Sequence, residues 1–304
     1  MATDLPLRRD FSVAYGRLEG IAPGLRRIVA NNPGPFTFKG TGTYVVGEDR
    51  VAVIDPGPDL PEHVEALLQG LGGARVTHIL VTHTHRDHSP AARALQAATG
   101  APTYGFGPHA GGRRGEPAVE EGGDWDFVPD IALHDGERVV GAGWELEAVH
   151  TPGHTSNHLC FAWPEPGILF SGDHVMGWST SVIAPPDGDM AAYMASLDKL
   201  LGRPDKIYWP THGPAIAAPQ RHVRAFIAHR REREAGILAC LREGVGEIDA
   251  IVARLYRGLD PRLARAAGRS VEAHLIDLIG RGIVVRDGPA GSEAHYRLAH
   301  PPRG

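Results

Sequence analysis

Four residues within one short run carry chemistry in this chain. They are His83, His85, Asp87 and His88, inside Thr82-His83-Thr84-His85-Arg86-Asp87-His88. Imidazole and carboxylate are the donors that a borderline divalent ion such as zinc prefers. The alternating spacing lets His83 and His85 point to one side together, while Asp87 and His88 turn back from the start of the next element. The preceding Thr77 to Val81 is apolar and β-branched and reads as a buried strand. The following Ser89 to Thr99 is Ala-rich and reads as a helix capped by Ser89, with Pro90 in its first turn. The competing reading is a polar surface loop with chance histidines. The position at the end of a core strand argues against it, because open α/β folds place their chemistry there.

Three further loops repeat the same grammar of apolar strand, small or glycine-containing turn, and metal-binding residue. His154 lies in Thr151-Pro152-Gly153-His154-Thr155 after the strand-like Trp144 to Val149. Asp173 lies in Phe170-Ser171-Gly172-Asp173-His174, and His212 lies in Pro210-Thr211-His212-Gly213 after Lys206 to Trp209. Converging at one sheet edge, these loops would hold two metals. His83, His85 and His154 are expected to bind the first, and Asp87, His88 and His212 the second, with Asp173 bridging them. Such a pair lowers the pKa of a bridging water toward neutral and makes a hydroxide nucleophile for an acyl carbon or a phosphorus centre. Asp87 and Asp173 are the candidate catalytic carboxylates. Two zinc ions per chain are expected, although a ligand set without thiolate also accepts iron or manganese. His150 and His174, beside the metal loops, are expected to be hydrogen-bond partners rather than ligands, and the same holds for Asn157 and His158.

The HxHxDH run, the later GHT, the SGD and the final THG resemble the metallo-β-lactamase-fold hydrolase superfamily. The resemblance implies that Asp55, in Ile54-Asp55-Pro56-Gly57, is a structural partner of the metal loops rather than a ligand. A bridging aspartate at Asp173 is similar to the glyoxalase II and ribonuclease Z side of that superfamily. The segment from Gly172 through Ser181, then Pro185 to Met190 and the helix around Tyr193 to Leu201, is similar to the beta-lactamase-like protein 2 family. That family's animal members cleave single-stranded RNA, and its chains end in a small winged-helix domain. The same resemblance makes Ser179, Thr180 and Ser181 candidate substrate contacts. It implies an α/β (α+β) fold, a four-layer αβ/βα sandwich with a C-terminal winged helix.

The bulk properties agree with an enzyme of this kind. At 304 residues, 42% hydrophobic and 22% charged, the chain is long enough for a substantial core and two domains. These are expected over 1–220 and 221–304. No stretch approaches the roughly 20 apolar residues of a membrane helix, so no membrane partner is expected. The first ten residues lack the apolar core of a secretory signal. Only Cys160 and Cys240 are present, and they read as small buried hydrophobes. A reducing cytoplasm is the expected location. The net charge of −5 is uneven. Residues 1–220 hold 16 Lys and Arg against 26 Asp and Glu, whereas residues 221–304 hold 15 Arg against 10 Asp and Glu. A basic end beside an acidic body suggests an anionic partner. Glu232, Glu234 and Glu243 alternate with the arginines, however, which also suits solvated helix faces.

Strands are expected at Arg27 to Ala30, Thr41 to Val46 and Val51 to Ile54, with a helix from Pro61 to Leu71. Gly105 to Trp125 reads as one long irregular stretch carrying Arg113 and Arg114, a flexible flap at the rim of the site. From Pro219 a long helix runs past Ala239, a second covers Glu247 to Tyr256, and Pro261 to Arg281 makes one helix or two broken near Gly268, with Ser270 as a cap. Two strands, from Ile283 and from His295, joined through Asp287 to Gly291, complete a winged helix. A nucleic-acid reading places Arg269, Arg281, Arg286 and Arg297 on its recognition helix and wing. The preferred reading is a wall for the active-site groove, since no aromatic platform for base stacking is visible. Single-stranded RNA is the first substrate expected, from the resemblance and the basic end. A small acyl substrate, as in thioester hydrolysis of the glyoxalase II kind, is the second, with β-lactam cleavage as a side reaction. A metal-stabilised nucleic-acid-binding regulator is the non-enzymatic alternative. The sequence sets no oligomeric state.

Overall fold

The computed structural model describes residues 4–112, 114, 119–288 and 294–299. Two mixed sheets face each other. The first has seven strands in sequential order: β1 (Glu19–Ala22), β2 (Leu25–Val29), β3 (Gly42–Val46), β4 (Arg50–Ile54), β5 (Arg75–Leu80), β6 (Thr103–Gly105) and β7 (Ile131–Ala132). Hairpins make β1 to β4 antiparallel, and helical crossovers make β4, β5 and β6 parallel. The crossovers are α1 (Pro61–Gly70) and α2 (Ala91–Thr99). The second sheet runs β12-β11-β10-β9-β8, from β8 (Arg138–Gly141), β9 (Trp144–His150), β10 (Leu159–Trp163), β11 (Ile168–Gly172) and β12 (Ile207–Pro210). Here α3 (Met190–Leu201) connects the parallel pair β11 and β12.

Strand composition explains the layering. All five residues of β3, β10 and β11 are buried, as central strands covered on both faces must be. Tyr44, Ile54, Leu80, Leu146, Phe161 and Phe170 fill the space between the sheets. Val53, Ile79, Leu67 and Leu95 pack the first sheet on its helices. Cys160, Leu169, Tyr193, Leu197 and Phe226 pack the second sheet on α3 and α4 (Pro219–Arg242). Burying each large side chain stabilises by about 1.5–3 kcal/mol, so these three seams make the four-layer αβ/βα sandwich. Both cysteines are buried and free.

The C-terminal unit comprises α5 (Ile248–Leu255), a single 3₁₀ turn (Pro261–Leu263), α6 (Ala264–Gly280), β13 (Val284–Asp287) and β14 (His295–Leu298). Ile237, Leu241, Ile251, Val271, Leu275 and Tyr296 form its own core. The helix α4 belongs to both cores, since Val223 and Phe226 pack on the second sheet and Ile237 and Cys240 on α5 and α6. The helix α6 is continuous through Gly268, and Ser270 is buried inside it rather than capping a new helix. Part of the expected turn between β13 and β14, from Pro289 to Gly291, lies outside the described residues. No helix among those described is long and apolar enough to cross a membrane.

Ser89 does not cap α2, whose N-cap position is Pro90 without a side-chain bond. Its hydroxyl donates to Asp124 at 2.8 Å, tying the start of the helix to the far end of the long irregular stretch. The geometry of the loops is equally constrained. At Gly153 the backbone sits at φ +136°, and a Cβ there would lie 2.3 Å from the Cα of Tyr193 on α3. Gly153→Ala is expected to lose about 1–3 kcal/mol in urea unfolding. Gly20→Ala, with nothing within 4 Å of the added carbon, should stay within about 0.5 kcal/mol of the parent protein.

Candidate metal centre

Loops following β4, β5, β9, β11 and β12 meet at one edge of the sandwich, and every residue expected to hold a metal is brought there. His83, His85 and His154 form one group and Asp87, His88 and His212 another, the ligand atoms of each lying within 4.8 Å of one another. Asp173 stands between the two. Its Oδ2 is 3.3 Å from His212 Nε2, 3.5 Å from His88 Nε2 and 4.0 Å from His154 Nε2. His212 Nε2 is also 3.0 Å from Asp87 Oδ2.

Outer hydrogen bonds decide which ring atom faces the centre. His154 Nδ1–H donates to the Val182 carbonyl at 2.7 Å, and His212 Nδ1–H donates to the Gly40 carbonyl at 3.1 Å. A carbonyl only accepts, so each neutral ring presents the Nε2 lone pair inward. His88 Nδ1–H donates to Asp55 at 2.9 Å. His88 Nε2, His154 Nε2 and Asp173 Oδ1 are buried without a hydrogen-bond partner among the described residues. Such orphaned atoms are costly unless something completes them. Several nitrogens and carboxylate oxygens aimed at common points, with no thiolate among them, fit divalent cations.

Asp55 organises this outer layer. Its carboxylate accepts from Thr82 N, Thr82 Oγ and Thr211 Oγ, each at 2.8 Å, besides His88. His158 serves the other side: it bonds Thr151 Oγ at 2.9 Å, and its Nε2 accepts from the Asp173 backbone N–H at 3.3 Å. His150 does not take that part. Its Nε2 donates to the Ser156 carbonyl at 3.1 Å and its ring stacks on Phe106, because the outward turn of β9 at that residue carries it away from the ligands. Ser181, expected to touch substrate, is buried and donates to the Asp173 and His174 carbonyls at 2.6 and 2.8 Å. Ser179 and Thr180 line a neighbouring cavity.

The metal-free cluster is electrostatically divided. Burial, then the neighbouring imidazoles, hold His83 well below its ordinary pKa. Burial acts in the same way on His85, reinforced by His154. On His88 and His212 burial is outweighed by the facing carboxylates, which raise His88 far above its ordinary value and His212 to about 10. Burial opposes the charge of Asp87 and Asp173 too, yet the facing histidines keep both carboxyls well below the usual range.

The sequence did not mark Glu120. It is carried on the long stretch between β6 and β7, the described part of which is laced to the metal loop. Arg86 N–H donates to the Gly122 carbonyl at 2.9 Å, and Asp124 N–H donates to the Thr84 carbonyl at 2.7 Å. Arg113 lies outside the described residues, and Arg114 pairs with Asp126 at 2.6 Å. Glu120 Oε2 lies 3.9 Å from His154 Nδ1. Burial, with Asp173 and Asp87 adding to it, raises the Glu120 carboxyl well above its ordinary pKa. A cleft of about 300 Å³ opens here, lined by His85, His109, Glu120, Trp125, Asp187 and Arg269 among others. Nothing in the local pattern around Glu120 distinguishes it from its surface neighbour Glu121; only the folding-back of the loop does.

Residues 37–212 match the family described as "Metallo-beta-lactamase superfamily", and residues 248–292 match "Beta-lactamase associated winged helix domain". The "Beta-lactamase-like protein 2 homolog" of Drosophila melanogaster is 33% identical over 84% of this chain and 88% of its own length. The "Atrochrysone carboxyl ACP thioesterase" of Claviceps purpurea is 32% identical over 74% of this chain and 67% of its own. The chain spans 65% to 77% of the length of fungal relatives it matches. The crystal structure of a beta-lactamase domain protein from Burkholderia ambifaria superposes with a TM-score of 0.79 at 22% identity, covering 95% of this chain and 96% of that one.

Asp55→Asn is expected to weaken zinc binding roughly 10–100-fold, read by competition with a chromophoric chelator; unchanged affinity would refute the role given to Asp55. The facing carboxylates favour the charged form of His88 and His212 in the metal-free chain, whereas each ring must be neutral to ligate. Metal loading should therefore release roughly two protons, and affinity should fall as pH falls. Calorimetric titration of chelator-stripped protein in buffers of different ionisation enthalpy measures this, and a buffer-independent heat would contradict it.

Proposed function

This chain belongs to the metallo-beta-lactamase superfamily, and we propose that it is a dinuclear metal-dependent hydrolase of acyl thioesters. His83, His85 and His154 would hold one divalent ion and Asp87, His88 and His212 the other, with Asp173 shared. Metals bound there would supply Lewis acidity toward a substrate carbonyl and toward water. Zinc suits the donor set, and iron or manganese is also compatible with it. Asp87 and Asp173 keep their carboxylates ionised to neutralise the cations, and Asp55 keeps the His88 ring in register.

The observation that carries the substrate class is the pairing of the cations near the mouth. Glu120 and Asp187 line the cleft together with Arg265 and Arg269, and Arg269 is paired with Glu272. A polyanionic backbone needs unneutralised cations along its path. The C-terminal arginines are largely matched: Arg281 with Glu234 at 2.6 Å, Arg297 with Asp287 at 2.8 Å, Arg262 with Asp260 at 2.7 Å, and Arg254 with Glu243. An acyl group attached to a thiol meets no such difficulty. Relatives named as acyl-carrier thioesterases support the same class. Single-stranded RNA is the second reading, favoured by Arg265 and Arg269 at the cleft and by the likeness to the beta-lactamase-like protein 2 homolog.

Acyl N-acetylcysteamine thioesters are expected to release thiol in a chelator-sensitive reaction. Asp87→Asn should lower kcat by more than the roughly 10–100-fold that loss of an outer partner costs. Chelator-sensitive cutting of labelled single-stranded RNA with no thiol release would transfer the assignment to RNA.

A further inference from the structure

A second cavity, of about 190 Å³, lies beside the metal centre between the sandwich and the C-terminal helices. Phe36 and Trp178 come from the sandwich, and Tyr256, Leu259 and Leu263 from the segment between α5 and α6. Its inner wall is the segment Ser179 to Val182. That segment holds the metal ligands directly, through the Val182 carbonyl on His154 and the Ser181 hydroxyl on the Asp173 carbonyl. Glu120 lines both this cavity and the metal cleft, so the two spaces adjoin at one side chain. The floor is fixed by Arg230, which is buried, donates to the Ser181 carbonyl and lies 5.2 Å from the centre of the Tyr193 ring. Its Nε has no hydrogen-bond partner among the described residues.

Resting on the thioester reading above, we propose that this cavity is the acyl pocket and that it takes a single-ring aromatic acyl group. A space of about 190 Å³ has room for one ring with a small substituent, with Phe36, Trp178, Leu259 and Leu263 on its apolar side and Ser179, Thr180 and Glu120 on its polar side. Phe36, Trp178 and Tyr256 give the wall aromatic carbon, which suits a ring better than a flexible chain. With the ring seated, the carbonyl reaches the metal centre past Glu120 and the thiol arm leaves through the cleft. Hydrolysis then breaks the C–S bond and joins the water oxygen to the acyl carbon. One water proton ends on the thiol sulfur and the other in solvent as the carboxylate forms.

Phenylacetyl and acetyl N-acetylcysteamine thioesters, compared on the full-length metal-loaded protein, test this. A preference in kcat/KM on the order of 100-fold for phenylacetyl is expected. In Leu263→Trp and in Leu259→Trp, two half-buried positions on different turns, it should collapse to within a few-fold. Binding of p-cresol, a ring that is a weak metal ligand in its neutral form, gives a second readout by saturation-transfer NMR. It should be seen with loaded and chelator-stripped protein and be lost in both variants, with melting curves confirming the fold. Thioester cleavage without ring preference, or p-cresol binding unaffected by either tryptophan, overturns the acyl pocket alone. Failure to cleave either thioester overturns the thioester reading and the acyl assignment with it.

Discussion

The buried carboxylate of Asp55 is the contact on which the rest of the centre depends. It sits at the end of β4 in a left-handed backbone, φ +49°, a conformation that aspartate tolerates better than most residues. A charge 1% exposed is stable only when fully hydrogen-bonded. Asp55 meets that condition with donors from two distant segments: Thr82 and His88, at the two ends of the metal run after β5, and Thr211 after β12. Because β5 and β12 belong to different sheets, one carboxylate sets the spacing between them at the site. The same bonds orient His88 and bring His212, one residue beyond Thr211, opposite Asp87.

A second clamp acts on the loop after β11. The C-terminal helices reach it at several points: His222 Nε2–H donates to the Met176 carbonyl at 3.0 Å, Arg230 bonds the Ser181 carbonyl, and Arg269 bonds the Pro185 carbonyl. This loop carries Asp173 at its start and supports His154 through Val182. The helix α4 thus braces this loop through His222 and Arg230, and Arg269 of α6 adds a third contact at Pro185. Arg230, Arg233 and Arg269 bond carbonyls, and Arg254, Arg262, Arg281 and Arg297 pair with carboxylates, so these seven do not form a free cationic track.

The long stretch between β6 and β7 adds the remaining wall. Asp124 ties it to α2 through Ser89 and Arg93, and its backbone bonds to Thr84 and Arg86 lay it over the metal run. Glu120 is thereby placed among groups that disfavour its negative charge. The stretch closes one side of the mouth, and the second cavity adjoins the cleft at Glu120.

Much of the centre was legible in the sequence because metal ligands combine specific residue types with a repeated local context. His83, His85, Asp87, His88, His154, Asp173 and His212 each follow an apolar strand and a tight turn, and the sandwich brings all seven to one edge. The strands and long helices were legible for the same reason, since alternation and apolar runs record burial. Non-local contacts were not legible. Ser89 has the composition of a helix cap and bonds Asp124 instead; Ser181 looks available to substrate and is committed to two carbonyls; His150 looks like an outer partner and bonds the Ser156 carbonyl instead. Glu120 and the aromatic cavity depend on segments more than thirty residues apart meeting in space. Residue type and spacing determine which atoms can bind a metal. Only the closing of the two sheets and the docking of the last helices decide which of those atoms, and which apolar side chains, share one site, because hydrogen bonding and packing between distant segments have no local signature.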